Sequence, residues 1–254
     1  MRAGDGCELR VTDLGGDGPP IVLLHGLMGR GSTWWATAPW LARHGRVLAP
    51  DARGHGRSGG GGPWTTSRFA ADVVTVLEAT GPATVIGHSM GGLHALAAAA
   101  ARPDLVRRLV VEDMAVDFTG VGAAHVTAMR EWFAAMPQPW ASLAAVREAF
   151  GGGPDGAFMA ECVEERDGGW WLLTAVADAC AIAAAWAREA RWDLLPGVRC
   201  PALLLEAERS VTPPGQMAAM AARMPDARHA VVAGSGHLVH AAPAYRALVE
   251  VFIR

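Results

Sequence analysis

The sequence predicts an α/β fold: a doubly wound, mostly parallel sheet with a helical cap inserted late in the chain. Three observations lead there. Short, continuous apolar runs alternate with segments of helical character, as expected for strands covered on both faces and joined by crossover helices. A Gly-x-Ser-x-Gly pattern, Gly87-His88-Ser89-Met90-Gly91, sits at one strand-to-helix boundary. One interval between neighbouring predicted strands is far longer than a single crossover helix requires.

The elements follow in order. Residues 21–24 (Ile-Val-Leu-Leu), ended by His25-Gly26, read as a buried strand, and residues 46–49 before Pro50-Asp51 read as the next. Between them Ser32 or Thr33 is placed to cap a helix running to Arg43 and stopped near Gly45. Residues 67–77 form a second predicted helix and 84–86 a third strand. A helix over 90–102 is closed by Pro103, and a strand follows at 109–111. Strands at 202–205 and 229–232 complete the set.

The interval from Asp113 to Pro201 breaks this rhythm. It holds six of the ten tryptophans (Trp132, Trp140, Trp170, Trp171, Trp186, Trp192) and four of the six phenylalanines. Its helical pieces are punctuated by Pro137, Pro139, Gly151-Gly152-Gly153 and Gly168-Gly169. The expectation is one domain, with residues 1–113 and 202–254 as the core and 114–201 as a helical lid. Such an insertion lies over the carboxyl ends of the strands, where open α/β sheets bind ligands. Trp132 and Trp186 are the candidate substrate-facing aromatics; most of the others are expected to hold the insertion together.

Length and composition set further bounds. A chain of 254 residues can bury a large core. A net charge of −3 and a pI near 6.3 offer no electrostatic attraction to nucleic acid or to an anionic membrane. No apolar run approaches the ~18 residues of a membrane span, and the first six residues lack a signal-peptide core, so a cytoplasmic protein is expected. Cys7, Cys162, Cys180 and Cys200 form no C-x-x-C pair; free thiols are expected, with no zinc site. A homo-oligomer is compatible with these features, which do not specify one.

The Gly-x-Ser-x-Gly pattern suits a sharp turn that lifts a serine hydroxyl clear of the sheet, with a helix N-terminus behind it. Ser89 is therefore the candidate nucleophile. A serine hydroxyl is weak at its free pKa and needs a base. Among nine histidines, His237 follows the last apolar strand in Gly234-Ser235-Gly236-His237, on a loop returning to the top of the sheet. His240 makes an H-x-x-H with His237, but without a third ligand nearby a metal site is not expected. His88 is assigned to packing and His55 to a hydrogen-bonded structural loop. Main-chain N–H groups of Met90, at the helix start, and Leu27, after His25-Gly26, are the candidate oxyanion donors.

With His25-Gly26, the Asp51 to Ser58 loop, Gly87 to Gly92 and Gly236-His237, the chain resembles α/β-hydrolase-fold enzymes over nearly its whole length. Similar enzymes usually carry the triad acid after the strand here placed at 202–205, ahead of a Val-Pro-Pro. This chain has Glu206-Ala207-Glu208-Arg209-Ser210-Val211-Thr212-Pro213-Pro214, with Arg209 where the aspartate belongs. Arginine carries only donors and cannot take that role. Other members resembling this chain take the acid from the end of the strand after the nucleophile helix, where Glu112-Asp113 stands. Alternating side chains let one of the two reach the site. Asp113 is chosen, with Glu208 and Glu206 as rivals.

The resemblance implies a serine hydrolase that cleaves a carboxylic ester, lactone or thioester of a small hydrophobic substrate through an acyl-enzyme, with no cofactor. It also admits a cofactor-free haloperoxidase or perhydrolase, or a C–C bond hydrolase, on the same triad. The intact Ser–His pair disfavours a non-catalytic ligand-binding protein.

Overall fold

A computed structural model describes residues Met1–Arg254 throughout. Seven strands form the main sheet: β1 (Val11–Gly15), β2 (Pro20–Leu24), β3 (Arg46–Pro50), β4 (Ala83–His88), β5 (Val106–Glu112), β8 (Ala202–Ala207) and β9 (Ala227–Val232). Their spatial order is β1-β3-β2-β4-β5-β8-β9. Only β1 runs antiparallel to its neighbour; every other pairing is parallel. The chain steps from β2 outward to β3, then returns to β4 on the other side of β2. That reversal is where a doubly wound sheet opens a crevice at the carboxyl ends of its strands.

The apolar runs are continuous because both faces of the sheet are covered. Along β2, Ile21 and Leu23 join one core layer and Val22 and Leu24 the other. In β5, Val110 faces the first layer while Leu109 and Val111 face the second. The larger layer, 38 buried residues, lies under α2 (Thr66–Thr80), α3 (Met90–Ala101) and α8 (Gln216–Ala221). The smaller, 17 residues, lies under α1 (Ala38–Leu41) and α9 (Pro243–Ile253). Helix α3 is buried from Met90 to Ala99 and is mostly Gly and Ala there, so it packs close to β4 and β5 on one side and to α2 on another.

Three features differ from the sequence expectation. Strand β1 was not anticipated: its residues, Val-Thr-Asp-Leu-Gly, are half exposed at the sheet edge and carry no apolar run. The helix expected from Ser32 or Thr33 to Arg43 is broken into a 3₁₀ turn, Gly31–Trp34, and the single turn of α1, which starts at Ala38 with Pro39 in its first turn. The insertion is not wholly helical. Between α4 (Gly122–Ala134), α5 (Leu143–Ala149), α6 (Pro154–Glu161) and α7 (Val176–Trp186) it contains a hairpin, β6 (Val163–Arg166) with β7 (Gly169–Leu172). Asp167 (φ 51°) and Gly168 (φ 74°) form its two-residue turn, the Asp-Gly signal of a tight hairpin. Trp140 extends this small sheet through paired main-chain bonds with Trp170.

The insertion has its own core of eight buried residues, among them Phe133, Trp140, Val146 and Leu172, and Met28 from the main body joins it as a ninth. Glu161, at the end of α6, bonds the Arg30 guanidinium (3.1 Å) and the Ser32 hydroxyl (2.8 Å), fastening the insertion to the loop after β2.

Histidines are built into the main body as neutral, buried groups. His25 Nε2 accepts from the Ala52 amide (2.9 Å), which puts the proton on Nδ1, where it donates to the Gly26 carbonyl (2.8 Å). His55 donates from Nδ1 to the Arg53 carbonyl (3.0 Å), and His94 stacks on Phe69 at 4.2 Å between ring centroids. Burial holds His25, His94 and His88 below the ordinary imidazole pKa and pushes His55 down to about 3. Below about pH 6.5 the unfolded chain protonates these rings while the folded chain does not. The unfolded state then binds more protons, and stability falls as pH falls, by up to about 1.4 kcal/mol per pH unit for each ring. Thermal melts should show a Tm that is level from pH 8 to 7 and drops steadily from 6.5 to 5; a level Tm down to pH 5 would contradict the neutral state of these rings.

Candidate active site

Ser89 joins β4 to α3 with φ 51° and ψ −124°, a backbone conformation that L residues rarely adopt. The strain is held by contacts on both sides. The Ser89 amide donates to the Glu112 carbonyl (2.8 Å), and its own carbonyl accepts from Gly92 (2.7 Å). A Cβ on Gly87 would stand 2.5 Å from the Gly91 carbonyl oxygen, and one on Gly91 would run into the Leu24 carbonyl. The two glycines of the pattern are therefore required by close approach of main chain to main chain, and the turn lifts the serine hydroxyl above the sheet.

The hydroxyl meets an imidazole. Ser89 Oγ lies 3.0 Å from His237 Nε2, and His237 Nδ1 lies 2.7 Å from Asp113 Oδ2. Since the carboxylate can only accept, Nδ1 carries the proton and Nε2 is free to take one from the serine. Asp113 is the residue directly after β5, with φ 44°, and its side chain is wholly buried. Burial pushes the Asp113 carboxyl pKa up. Hydrogen bonds from His237, the Ser210 hydroxyl (2.6 Å) and the Ala207 amide (3.0 Å) outweigh that and leave it below the ordinary carboxylate value.

The rivals for the acid lie elsewhere. Glu206 accepts from His229 Nε2 (2.7 Å), and Glu208 accepts from the Gly234 amide (3.1 Å). Arg209 turns to the Gly234 carbonyl (3.3 Å), and its neighbour Ser210 supplies the hydroxyl that steadies Asp113. Nothing in the spacing of that loop marks Ser210, because its bond is to a carboxylate on the neighbouring strand.

Glu112 points to the opposite face of the sheet, as strand alternation requires. There it accepts from His240 Nδ1 (2.7 Å) and from the buried Tyr245 hydroxyl (2.6 Å). His240 thus pairs with a carboxylate and packs on Trp34, 4.5 Å between ring centroids. His88 does more than pack: its Nε2 donates to the His237 carbonyl (2.9 Å), with ring centroids 4.8 Å apart, so it fastens the loop that carries the imidazole. Ser235 fastens the same loop from beneath, accepting from the Glu208 amide (3.1 Å) and donating to the Val232 carbonyl (2.6 Å).

Leu27, which lines the pocket with Ser89, and Met90, next to Ser89 in the chain, offer main-chain N–H groups. Met90 opens α3, so its N–H has no partner within the helix. Leu27 lies in a turn closed by the Gly29 amide on the Gly26 carbonyl (3.0 Å), with Met28 at φ 69°; the Leu27 N–H donates to no group in the protein. The His25 bonds to Ala52 and Gly26 hold this turn in place.

Above these groups a pocket of about 610 Å³ is lined by 20 residues, 14 of them hydrophobic. Ser89, His237 and Asp113 form its floor together with His88, Leu27 and Met28. Phe118, Trp132, Phe133, Phe150, Phe158 and Trp186 bring aromatic surface from the inserted segment. Both expected tryptophans are in the wall, Trp186 nearly buried and Trp132 at 46% exposure near the mouth. The Met90 side chain is wholly buried away from the pocket, so only its amide is offered. The methionines of the wall, and His125, were not anticipated; amphipathic spacing in the insertion does not tell a pocket-facing residue from one packed in its core.

The alpha/beta hydrolase fold family model matches residues 19–242. Esterase YbfF of Escherichia coli is 32% identical over 232 residues, 87% of each chain. Lipase LipV of Mycobacterium tuberculosis is 40% identical over 116 residues, 44% of each chain, so this chain aligns with less than half of that relative's length. The same holds for the sn-1-specific diacylglycerol lipase ABHD11 of Danio rerio, 40% identical over 48% of this chain and 40% of the relative. Among solved structures, an E-2-(acetamidomethylene)succinate hydrolase superposes with a TM-score of 0.84 at 24% identity, over 96% of this chain and 94% of that one. No helix of the chain is long and apolar enough to cross a membrane. The chain belongs to the alpha/beta hydrolase fold family.

Proposed function

We propose that the chain is a serine hydrolase of carboxylic esters, with residues 114–201 serving as a cap over its active site. The observation that carries this reading is the continuous relay Ser89 Oγ–His237–Asp113, at 3.0 and 2.7 Å, on the floor of a largely apolar pocket. The esterase and lipases among its relatives support the choice of an ester substrate.

In the proposed cycle Ser89 Oγ attacks the ester carbonyl carbon while His237 Nε2 takes the serine proton. The carbonyl oxygen becomes an oxyanion, which accepts from the Leu27 and Met90 amides; each such donor is worth about 100- to 1000-fold in rate. Asp113 keeps the imidazole in the required tautomer and offsets its positive charge. The intermediate collapses as the ester C–O bond breaks, and His237 gives its proton to the departing alkoxide. A water then loses a proton to His237 and attacks the acyl-enzyme. The serine oxygen leaves with that proton, and the acid is released. Binding energy comes from the aromatic and methionine wall, with Trp132 and Trp186 among the contacts.

A fluorophosphonate probe should modify the wild-type protein on Ser89 and leave Ser89→Ala unlabelled, as read by intact-mass spectrometry. Equal labelling of both would remove Ser89 from its role. For the acid, Asp113→Asn should lower kcat on a p-nitrophenyl ester by about 1,000- to 10,000-fold, the loss expected when the imidazole adopts the wrong tautomer. Glu208→Gln should leave kcat nearly unchanged. The reverse ranking would move the acid to the loop after β8.

A further inference from the structure

The pocket wall has a charge pattern that bears on which esters it admits. The chain contains no lysine, so arginine is its only permanently cationic side chain. No arginine lines the pocket. Arg30, two residues beyond Met28 of the wall, is bonded to Glu161, and Arg209, two residues before Val211, is turned to the Gly234 carbonyl. The remaining ionisable groups of the wall are His88, His125, Asp113, Asp155 and His237. Asp113 is committed to His237. Asp155 stands exposed at the rim, in the first turn of α6. His125 of α4 is half-buried beside Phe118, with no hydrogen-bond partner, and burial followed by the nearness of His237 holds its pKa below the ordinary value. His88 is buried and neutral for the same first reason. The wall above the serine therefore holds no permanently cationic side chain, and its one uncommitted carboxylate, Asp155, is negative.

We propose that the pocket selects esters whose acyl group is uncharged and apolar, and rejects acyl groups that carry a second, ionised carboxylate. The proposal rests on the ester-hydrolase reading of the site. A carboxylate in the acyl group would leave water for a wall of six aromatic residues and four methionines (Met28, Met114, Met129, Met159) with no cation to meet it. The carboxylate made by the reaction itself is differently placed: it forms at Ser89, within reach of the Leu27 and Met90 amides. Unbranched, polarisable methionines among rings suit flexible alkyl chains of differing shape. A volume of about 610 Å³ falls in the range of sites that enclose a ligand of moderate size.

Three p-nitrophenyl esters test it: the hexanoate, the hydrogen adipate and the methyl adipate. The first two differ by a terminal methyl against a carboxylate, and the third restores neutrality at the larger size. For the wild-type enzyme at pH 8, kcat/KM for the hexanoate and the methyl adipate should each exceed that for the hydrogen adipate by more than about 30-fold, the mark of an unpaired ion entering an apolar site. A smaller ratio would overturn the proposal, as would a methyl adipate that falls with the hydrogen adipate, which would make size the cause. His125→Arg should raise the hydrogen adipate relative to the hexanoate by about 10-fold, as a cation supplied to a buried carboxylate would. Met129→Arg, on the same helix, is the second variant should the first not fold. No gain in either, with hexanoate turnover retained, would contradict the missing cation as the cause. Quenching of tryptophan fluorescence in Ser89→Ala by the same three esters reads the selectivity without turnover. If the wild type cleaves none of them and the fluorophosphonate leaves Ser89 unmodified, the hydrolase reading fails, while the order of binding still decides the selectivity.

Discussion

The close approach of the end of β4 to the start of α3 governs the geometry of the site. Gly87 and Gly91 let main chain touch main chain, and the residue between them is forced to φ 51°. In that conformation the Ser89 hydroxyl stands above the sheet, while the unpartnered N–H groups of α3 open behind it. The conformation persists because its surroundings over-determine it: the Ser89 amide is tied to β5 and its carbonyl to Gly92. The tie to β5 also sets the distance from Ser89 to the strand whose tip bears Asp113. Ser89, the Met90 N–H and Asp113 are thus placed by one packing event at the centre of the sheet.

The imidazole arrives on a loop, and a loop needs anchoring. His88 holds the His237 carbonyl from the nucleophile turn, Ser235 holds the loop from the β8 side, and Asp113 fixes the ring. Behind them Glu112, His240 and Tyr245 form a second buried hydrogen-bonded group on the other face of β5. Adjacent residues at the end of β5 thereby face opposite ways, Asp113 to His237 and Glu112 to His240 and Tyr245. The buried histidines are kept neutral by desolvation, which lets them act as directional donors and acceptors at neutral pH without burying charge.

Much of this could be read from residue order, for physical reasons. Strands covered on both faces must be apolar throughout, so β2, β4, β5 and β8 stood out; the polar edge strand β1 did not. The hairpin of the insertion carried a readable turn, Asp167-Gly168, but its strands, Val-Glu-Glu-Arg and Gly-Trp-Trp-Leu, are too short and mixed to compete with the helical segments around them. The helix expected between β2 and β3 is interrupted because Trp34 is drawn into the core and Pro39 has to begin a new turn. Motif and chain order singled out Ser89 and His237, whose side chains lie 3.0 Å apart. Asp113 was reached through the arginine at position 209, which cannot accept a hydrogen bond. Ser210, the His88 bond to the His237 loop and the arginine-free wall of the pocket were not legible. Each depends on contacts between distant segments, which periodicity along one segment does not encode.

The central claim is that Ser89 becomes covalently acylated by its substrate with His237 as base. Rapid-quench mass spectrometry tests it most directly: the enzyme is mixed with excess p-nitrophenyl hexanoate, stopped in acid within the first turnovers and digested. The expected result is a single hexanoyl group per chain on the peptide bearing Ser89, formed in wild type and absent in His237→Gln. Release of p-nitrophenol at the full rate with no acyl group on that peptide, or with the group on another residue, would contradict the account.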